Sequence, residues 1–80
     1  MTTAKPAGDG TYRVRLDKQR STWSWFTTNP QGGGFGSCDV APKWMVLAKA
    51  IRNIPLGASY RLIVNGQDRG LVVRGEEKQP

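Results

Sequence analysis

The sequence has no histidine and only one cysteine, Cys38, among its 80 residues. Histidine is the commonest general base and metal ligand, and zinc sites need several cysteines or histidines. A single thiol excludes an internal disulfide, which fits a reducing compartment. No apolar run approaches the roughly 18–20 residues of a membrane span, and residues 1–10 lack the apolar core of a signal peptide. We therefore expect a cytoplasmic protein without metal or cofactor.

Acidic residues are scarce beside basic ones. Six Asp and Glu stand against twelve Lys and Arg, so the formal net charge is +6 and the isoelectric point is near 10.1. None of the six carboxylates forms a pair suited to acid–base catalysis, so no catalytic residue is assigned and we do not expect an enzyme. The positive charge favours a polyanionic partner such as nucleic acid.

Eighty residues make one small domain, with polar tails expected at residues 1–10 and 76–80 and a folded part at 11–75. Residues 11–17 alternate strictly between apolar and charged side chains, which predicts a half-buried strand. Residues 22–28 are rich in aromatic and β-branched side chains, which predicts a second strand paired with the first. Trp23 and Trp25 share one face of it, and burial of both would leave Phe26 on the other face.

A second hairpin is expected near the C-terminus. Residues 59–64 alternate as a strand, Asn65-Gly66 is a strong turn signal, and residues 67–74 return as a strand with a bulge near Gly70. Between the hairpins, residues 40–54 show the three- and four-residue spacing of one apolar helix face, with Asp39 as its expected N-cap. Val40, Trp44, Leu47 and Ile51 are expected in the core.

These elements predict an α+β fold of two layers. The element order is ββαββ, with a four-stranded antiparallel sheet in the order 2-1-3-4, or 1-2-3-4 as the alternative, and the helix on one face. Residues 29–37, Asn-Pro-Gln-Gly-Gly-Gly-Phe-Gly-Ser, are expected to form a mobile loop with Phe35 as a recognition anchor. No Gly-Lys-Ser/Thr follows the glycines, so a phosphate loop is not indicated.

If the helix covers one face of the sheet, strand arginines lie on the other. Arginines beside planar rings can contact phosphates and stack on bases, whereas a solvated polar face and a protein-binding face are the alternatives. The candidate residues for nucleic-acid or partner binding are Arg13, Arg15, Lys18, Arg20, Phe26, Phe35, Arg61 and Arg74.

The element order and size resemble small accessory proteins encoded by phages and mobile elements, including some anti-CRISPR inhibitors. In those proteins a hairpin like residues 11–28 precedes one helix like 40–54 and a closing hairpin like 59–74. The resemblance implies an inhibitor or adaptor of a host protein or nucleoprotein complex, and it carries no functional residue over. Many such inhibitors are acidic DNA mimics, which a chain of charge +6 cannot be. The sequence leaves open DNA or RNA, and a monomer or a homodimer.

Overall fold

The computed structural model describes residues 11–77, in the order β1 (Tyr12–Gln19), β2 (Thr22–Thr28), β3 (Gly34–Asp39), α1 (Lys43–Ala50), β4 (Ser59–Val64) and β5 (Gln67–Val73). The α+β class is confirmed. The predicted tail at 1–10 and residues 78–80 lie outside the described residues. No helix in the described part of the chain is long and apolar enough to cross a membrane.

The sheet has five strands in the order β3-β2-β1-β4-β5, and its central pair, β1 and β4, is parallel. The other neighbours are antiparallel. The expected neighbour order of the four predicted strands is therefore right, but a four-stranded, wholly antiparallel sheet is wrong.

One missed strand explains both errors. Residues 34–39 form β3 within the stretch expected to be a mobile loop, and β3 pairs along its whole length with β2. Each strand of a meander reverses the chain direction. An extra strand before the helix therefore turns β4 from antiparallel to parallel relative to β1.

The second hairpin follows the prediction closely. Asn65 and Gly66 both have positive φ, 51° and 81°, as a two-residue hairpin turn of this kind requires. The pairing shifts between Arg61 and Ile63, and Gly70 takes φ 88° on the opposite strand. The predicted bulge near Gly70 is confirmed.

Helix α1 is shorter than the predicted 40–54. It begins after Pro42, whose φ of −62° and ψ of 153° are extended, and no side chain caps it. Asp39, the expected N-cap, ends β3 instead. Its carboxylate accepts hydrogen bonds from Trp25 Nε1 at 3.2 Å and Lys49 Nζ at 3.0 Å, so it links β3 to β2 and to the helix.

The helix packs on β2 and β1 through small side chains, Val46 and Ala50, which are fully buried. Trp44, expected in the core, is 55% exposed, and Val40, also expected there, is 76% exposed. Val40 precedes the first helical residue, so helical spacing does not apply to it. Trp44 lies about 140° round the helix axis from the midpoint of Val46 and Ala50, because the helix approaches the sheet over these smaller residues.

Two hydrogen bonds satisfy carbonyl groups at the C-terminal end of the helix. The hydroxyl of Thr27 on β2, 2% exposed, donates to Ala50 O at 2.5 Å. Arg74 Nε donates to Ile51 O at 3.2 Å. Because terminal helix carbonyls lack partners within the helix, these contacts fasten its end to both halves of the sheet.

A buried tyrosine holds the chain that follows β5. Tyr60, on β4, is fully buried and its hydroxyl donates to Glu77 Oε2 at 2.9 Å. Burial, reinforced by the Glu77 carboxylate, raises the pKa of Tyr60 well above its ordinary value. Burial opposes ionisation of Glu77, but hydrogen bonds from backbone N–H groups and Tyr60 outweigh it and lower the pKa of Glu77.

Candidate nucleic-acid interface

The face of the sheet opposite the helix carries the arginines of β1 and β4. Val14 and Leu16 point into the core and are fully buried, so Arg13 and Arg15 project from the other side. The same alternation puts Arg61 on this open face. The sequence predicted this arrangement of the three arginines, because strict period-two alternation fixes which face each residue occupies.

Arg13 and Arg61 are directly paired across the parallel strands, and Arg15 follows two residues along β1. Side chains paired in this way lie roughly 5 Å apart, and like charges directly opposite each other are destabilising. Residues two apart on a strand are separated by about 7 Å. The backbone positions of Arg13, Arg15 and Arg61 therefore form a compact triangle on the open face, the arginine triangle.

Two of the arginines have acidic neighbours on the same face. Arg15 Nε lies 3.1 Å from Asp17, and Arg61 Nη1 contacts both carboxylate oxygens of Asp68 at 3.0 and 3.1 Å. The N–H of Gly70 and then Arg61 hold the pKa of Asp68 below its usual range. Pairs this exposed are weakly held in water, so the guanidinium groups remain available to phosphates.

Arg13 makes no ion pair with any acidic residue between positions 11 and 77. It is exposed and lies at the centre of the sheet, between Thr28 on β2 and Arg61 on β4. It is close enough to Asp68 to help lower the pKa of that carboxyl. Arg13 is thus the best placed of the three to accept a new anionic partner.

Phe26 is the aromatic ring of the open face, paired with Arg15 across β1 and β2 and 49% exposed. Its side chain lies across β3 above two glycines. A Cβ at Gly34 or at Gly36 would come within 2.8 Å of its ring atoms. An aromatic ring over edge-strand glycines covers backbone that they leave bare. The glycines that suggested a loop, Gly34 and Gly36, thus leave the space in which the ring of Phe26 packs.

Phe35, the proposed anchor of the loop, lies on the other face of the sheet. It packs edge-on against Trp25, with ring centroids 5.6 Å apart and planes at 89°. Trp23 is buried and Trp25 half-buried on this helix side, as the shared-face reasoning predicted. Phe35 is therefore not brought together with the arginines.

The tip of the first hairpin carries the other two candidate cations. Lys18 Nζ lies 5.8 Å from the centroid of Trp23, and its backbone N–H donates to Asn65 Oδ1 at 2.8 Å. That bond holds the tips of the two hairpins side by side. Arg20, with φ 59°, is exposed in the turn itself. Neither belongs to the arginine triangle.

Arg74 was expected on the open face and lies on the helix side instead. The bulge at Gly70 shifts the alternation of β5, so Val72 pairs with buried Tyr60 and Leu71 pairs with Arg61. Val72 packs against the core, whereas Leu71 and Val73 occupy the open face. The prediction of Arg74 on the open face is wrong because one extra residue at the bulge reverses the alternation of the residues that follow it.

Basic residues are not confined to the open face, because Lys43, Lys49 and Arg52 are exposed on the helix side. A groove of about 710 Å³ separates the helix from β4 and β5, with Trp44, Leu47 and Leu62 among its walls. Net charge alone therefore does not single out a binding surface. The open face is distinguished by the crowding of its arginines and by Phe26.

No protein-family model, curated protein or solved structure matches this chain. Function must therefore be argued from the geometry of the described residues.

Proposed function

We propose that this protein is a non-catalytic nucleic-acid-binding module whose open sheet face contacts the phosphate backbone. The observation that carries the proposal is the pairing of Arg13 with Arg61, with Arg15 and the exposed ring of Phe26 alongside. Asp17 and Asp68 pair with Arg15 and Arg61, so Arg13 is the member of the group whose charge is left for an anionic ligand to neutralise. A guanidinium binds phosphate through two parallel hydrogen bonds, and an aromatic ring stacks on bases.

The proposal is tested by exchanging the three arginines for alanine. Arg13→Ala, Arg15→Ala and Arg61→Ala together lower the formal net charge from +6 to +3. We expect affinity for a labelled oligonucleotide to fall at least about tenfold at low salt, because each neutralised phosphate releases counterions. The slope of log K against log salt should become shallower by about 2 for a single strand.

The matched control removes the same charge from the helix side. Lys43→Ala, Arg52→Ala and Arg69→Ala, at exposed positions that form no ion pair with any residue between 11 and 77, also reduce the net charge to +3. Fluorescence anisotropy titrations over a range of salt compare the two triple variants. If both lose affinity equally, only overall charge matters and the open face is not the interface.

A second candidate is a protein-binding inhibitor or adaptor that uses the same face. It is favoured by the apolar side chains beside Arg61, since Ile63 and Val73 are half-buried and Leu71 is 53% exposed. Exposed apolar side chains in one patch mark surfaces that bind proteins. A stoichiometric partner captured from nuclease-treated lysate, and lost with Leu71→Ser but not with the control triple variant, would favour this candidate.

A further inference from the structure

A shallow depression of about 330 Å³ lies on the open face between Phe26 and Arg15. The rest of its lining is Ser24, Gly36 and Cys38, together with Trp25, Ser37 and Asp17, the carboxylate that pairs with Arg15. Its size is at the small end of the range for ligand sites, about 300–1,000 Å³. Neither the helix nor a neighbouring loop covers it, so it is open to a ligand that also contacts the arginines.

The pairing of the strands explains why the depression exists. Phe26 is flanked by Arg15 on β1 and by Gly36 on β3, so the ring has a side chain on one side only. The next row pairs Ser24 with Cys38, both with small side chains. The result is a low floor between the ring of Phe26, which lies over β3, and the side chains of Arg15 and Asp17 on β1.

We infer that this depression holds one unpaired base of a single-stranded nucleic acid, stacked on Phe26, while the arginine triangle binds the adjoining phosphates. The inference rests on the proposed function and narrows it to single strands. A base can stack on a protein ring only when its own face is free, and in a duplex both faces are covered by neighbouring bases. Stacking tolerates any base, so little sequence preference is expected.

The orientation of the Phe26 ring favours a single strand over a duplex as the ligand. Phe26 lies down over Gly34 and Gly36 instead of standing out from the sheet, so it presents a surface and not a wedge. Sheets that read a duplex do so with side chains that enter a groove. In contrast, proteins that bind single strands combine a basic track with flat aromatic platforms, as this face does.

The experiment compares one labelled oligonucleotide of mixed sequence, as a single strand and as a duplex, by fluorescence anisotropy. We expect the wild type to bind the single strand about tenfold more tightly than the duplex. Phe26→Leu keeps an apolar cover over the glycines but removes the stacking ring. Phe26→Leu should weaken single-strand binding about tenfold and leave duplex binding unchanged. Phe26→Tyr keeps an aromatic ring and should bind the single strand as tightly as the wild type. Trp44→Leu removes an exposed ring from the helix side and serves as the control.

Cross-linking of the wild type gives a readout that does not depend on how the variants fold. A single strand with photoreactive pyrimidines should cross-link to the tryptic peptide 21–43, which contains β2 and β3. Cross-links mapped only to other peptides, equal or tighter binding of the duplex, or unchanged single-strand affinity of Phe26→Leu would overturn the inference but leave the proposed function standing. A wild type that binds neither form would overturn both.

Discussion

Gly34 and Gly36 belong to β3 because the ring of Phe26 occupies the space their side chains would fill. At Gly36 a Cβ would also lie 2.2 Å from the backbone oxygen of Trp25. A side chain can rotate away from a new methyl group, whereas a backbone oxygen in a paired strand cannot. Gly36 is therefore fixed by its neighbours and not by a need for flexibility.

The substitution Gly36→Ala should destabilise the protein by about 1–3 kcal/mol, as overpacked sites typically do. Urea unfolding followed by tryptophan fluorescence measures the change. Gly33→Ala is the control, because its Cβ would meet no atom closer than 3.4 Å, at Asn29 Nδ2. If both substitutions lowered the free energy of unfolding equally, packing would not require glycine at position 36.

Among single residues, the sequence predicted the site best where alternation is strict. Arg13, Arg15 and Arg61 were placed correctly because a strand residue has only two faces to occupy. Trp44 was misplaced because it shares the three- and four-residue spacing of Leu47 and Ile51. The sheet instead receives Val46 and Ala50, which allow a closer approach. Pattern alone does not say which side of a helical stripe will face the sheet.

At the scale of elements, the hydroxyl of Thr27 is one of two side-chain donors that satisfy carbonyl groups at the end of α1. Thr27 is buried on β2, and its bond to Ala50 O supplies a partner that the helix cannot provide for itself. The fold thus couples the position of the helix to the C-terminal end of β2 in the other layer.

Thr27→Val should cost about 1–3 kcal/mol, because a buried carbonyl loses its hydrogen bond without a change of shape. Thr28→Val, one residue along on the open face, should change stability by less than about 0.5 kcal/mol. Thermal and urea unfolding of the two variants provide the test. A Thr27→Val protein as stable as the wild type would show that the bond contributes nothing net.

The elements with local signals were the ones predicted from the sequence. The predicted bounds of β2 and β4 match the observed ones, and the Asn65-Gly66 pair is by itself a signal for a hairpin turn. Strand β3 carries no such signal, because glycines are depleted in strands. Its glycines are explained by the ring of Phe26, which lies on another strand. That non-local cause is why the fifth strand, and with it the parallel pairing, could not be derived.

For the molecule as a whole, several carboxylates are more acidic in the folded state. Hydrogen bonds from Lys49 and then Trp25 lower the pKa of Asp39, and those of Asp68 and Glu77 are also lowered. A group whose pKa is lowered on folding contributes stability above its unfolded pKa of about 4 and loses it as the pH falls through the folded value. These groups therefore favour the fold at neutral pH.

The free energy of unfolding should be level between about pH 7 and pH 5 and should decrease below about pH 4. Asp39→Asn should be less stable than the wild type at neutral pH and should lose less on acidification. The control Glu76→Gln removes the same charge from a carboxylate that accepts no hydrogen bond from residues 11–77. Urea unfolding at a series of pH values gives both curves, and identical acid profiles for Asp39→Asn and wild type would refute the linkage.

The parallel pairing of β1 with β4 also bears on how the chain folds during synthesis. Residues 12–39 can form the β1-β2-β3 meander as they emerge, but one edge of β1 has no neighbour until residues 59–64 follow. Pairing across that distance in sequence is slow compared with closing a hairpin. The central strand of the finished sheet, which carries Arg13 and Arg15, thus keeps one edge unpaired until β4 has been synthesised.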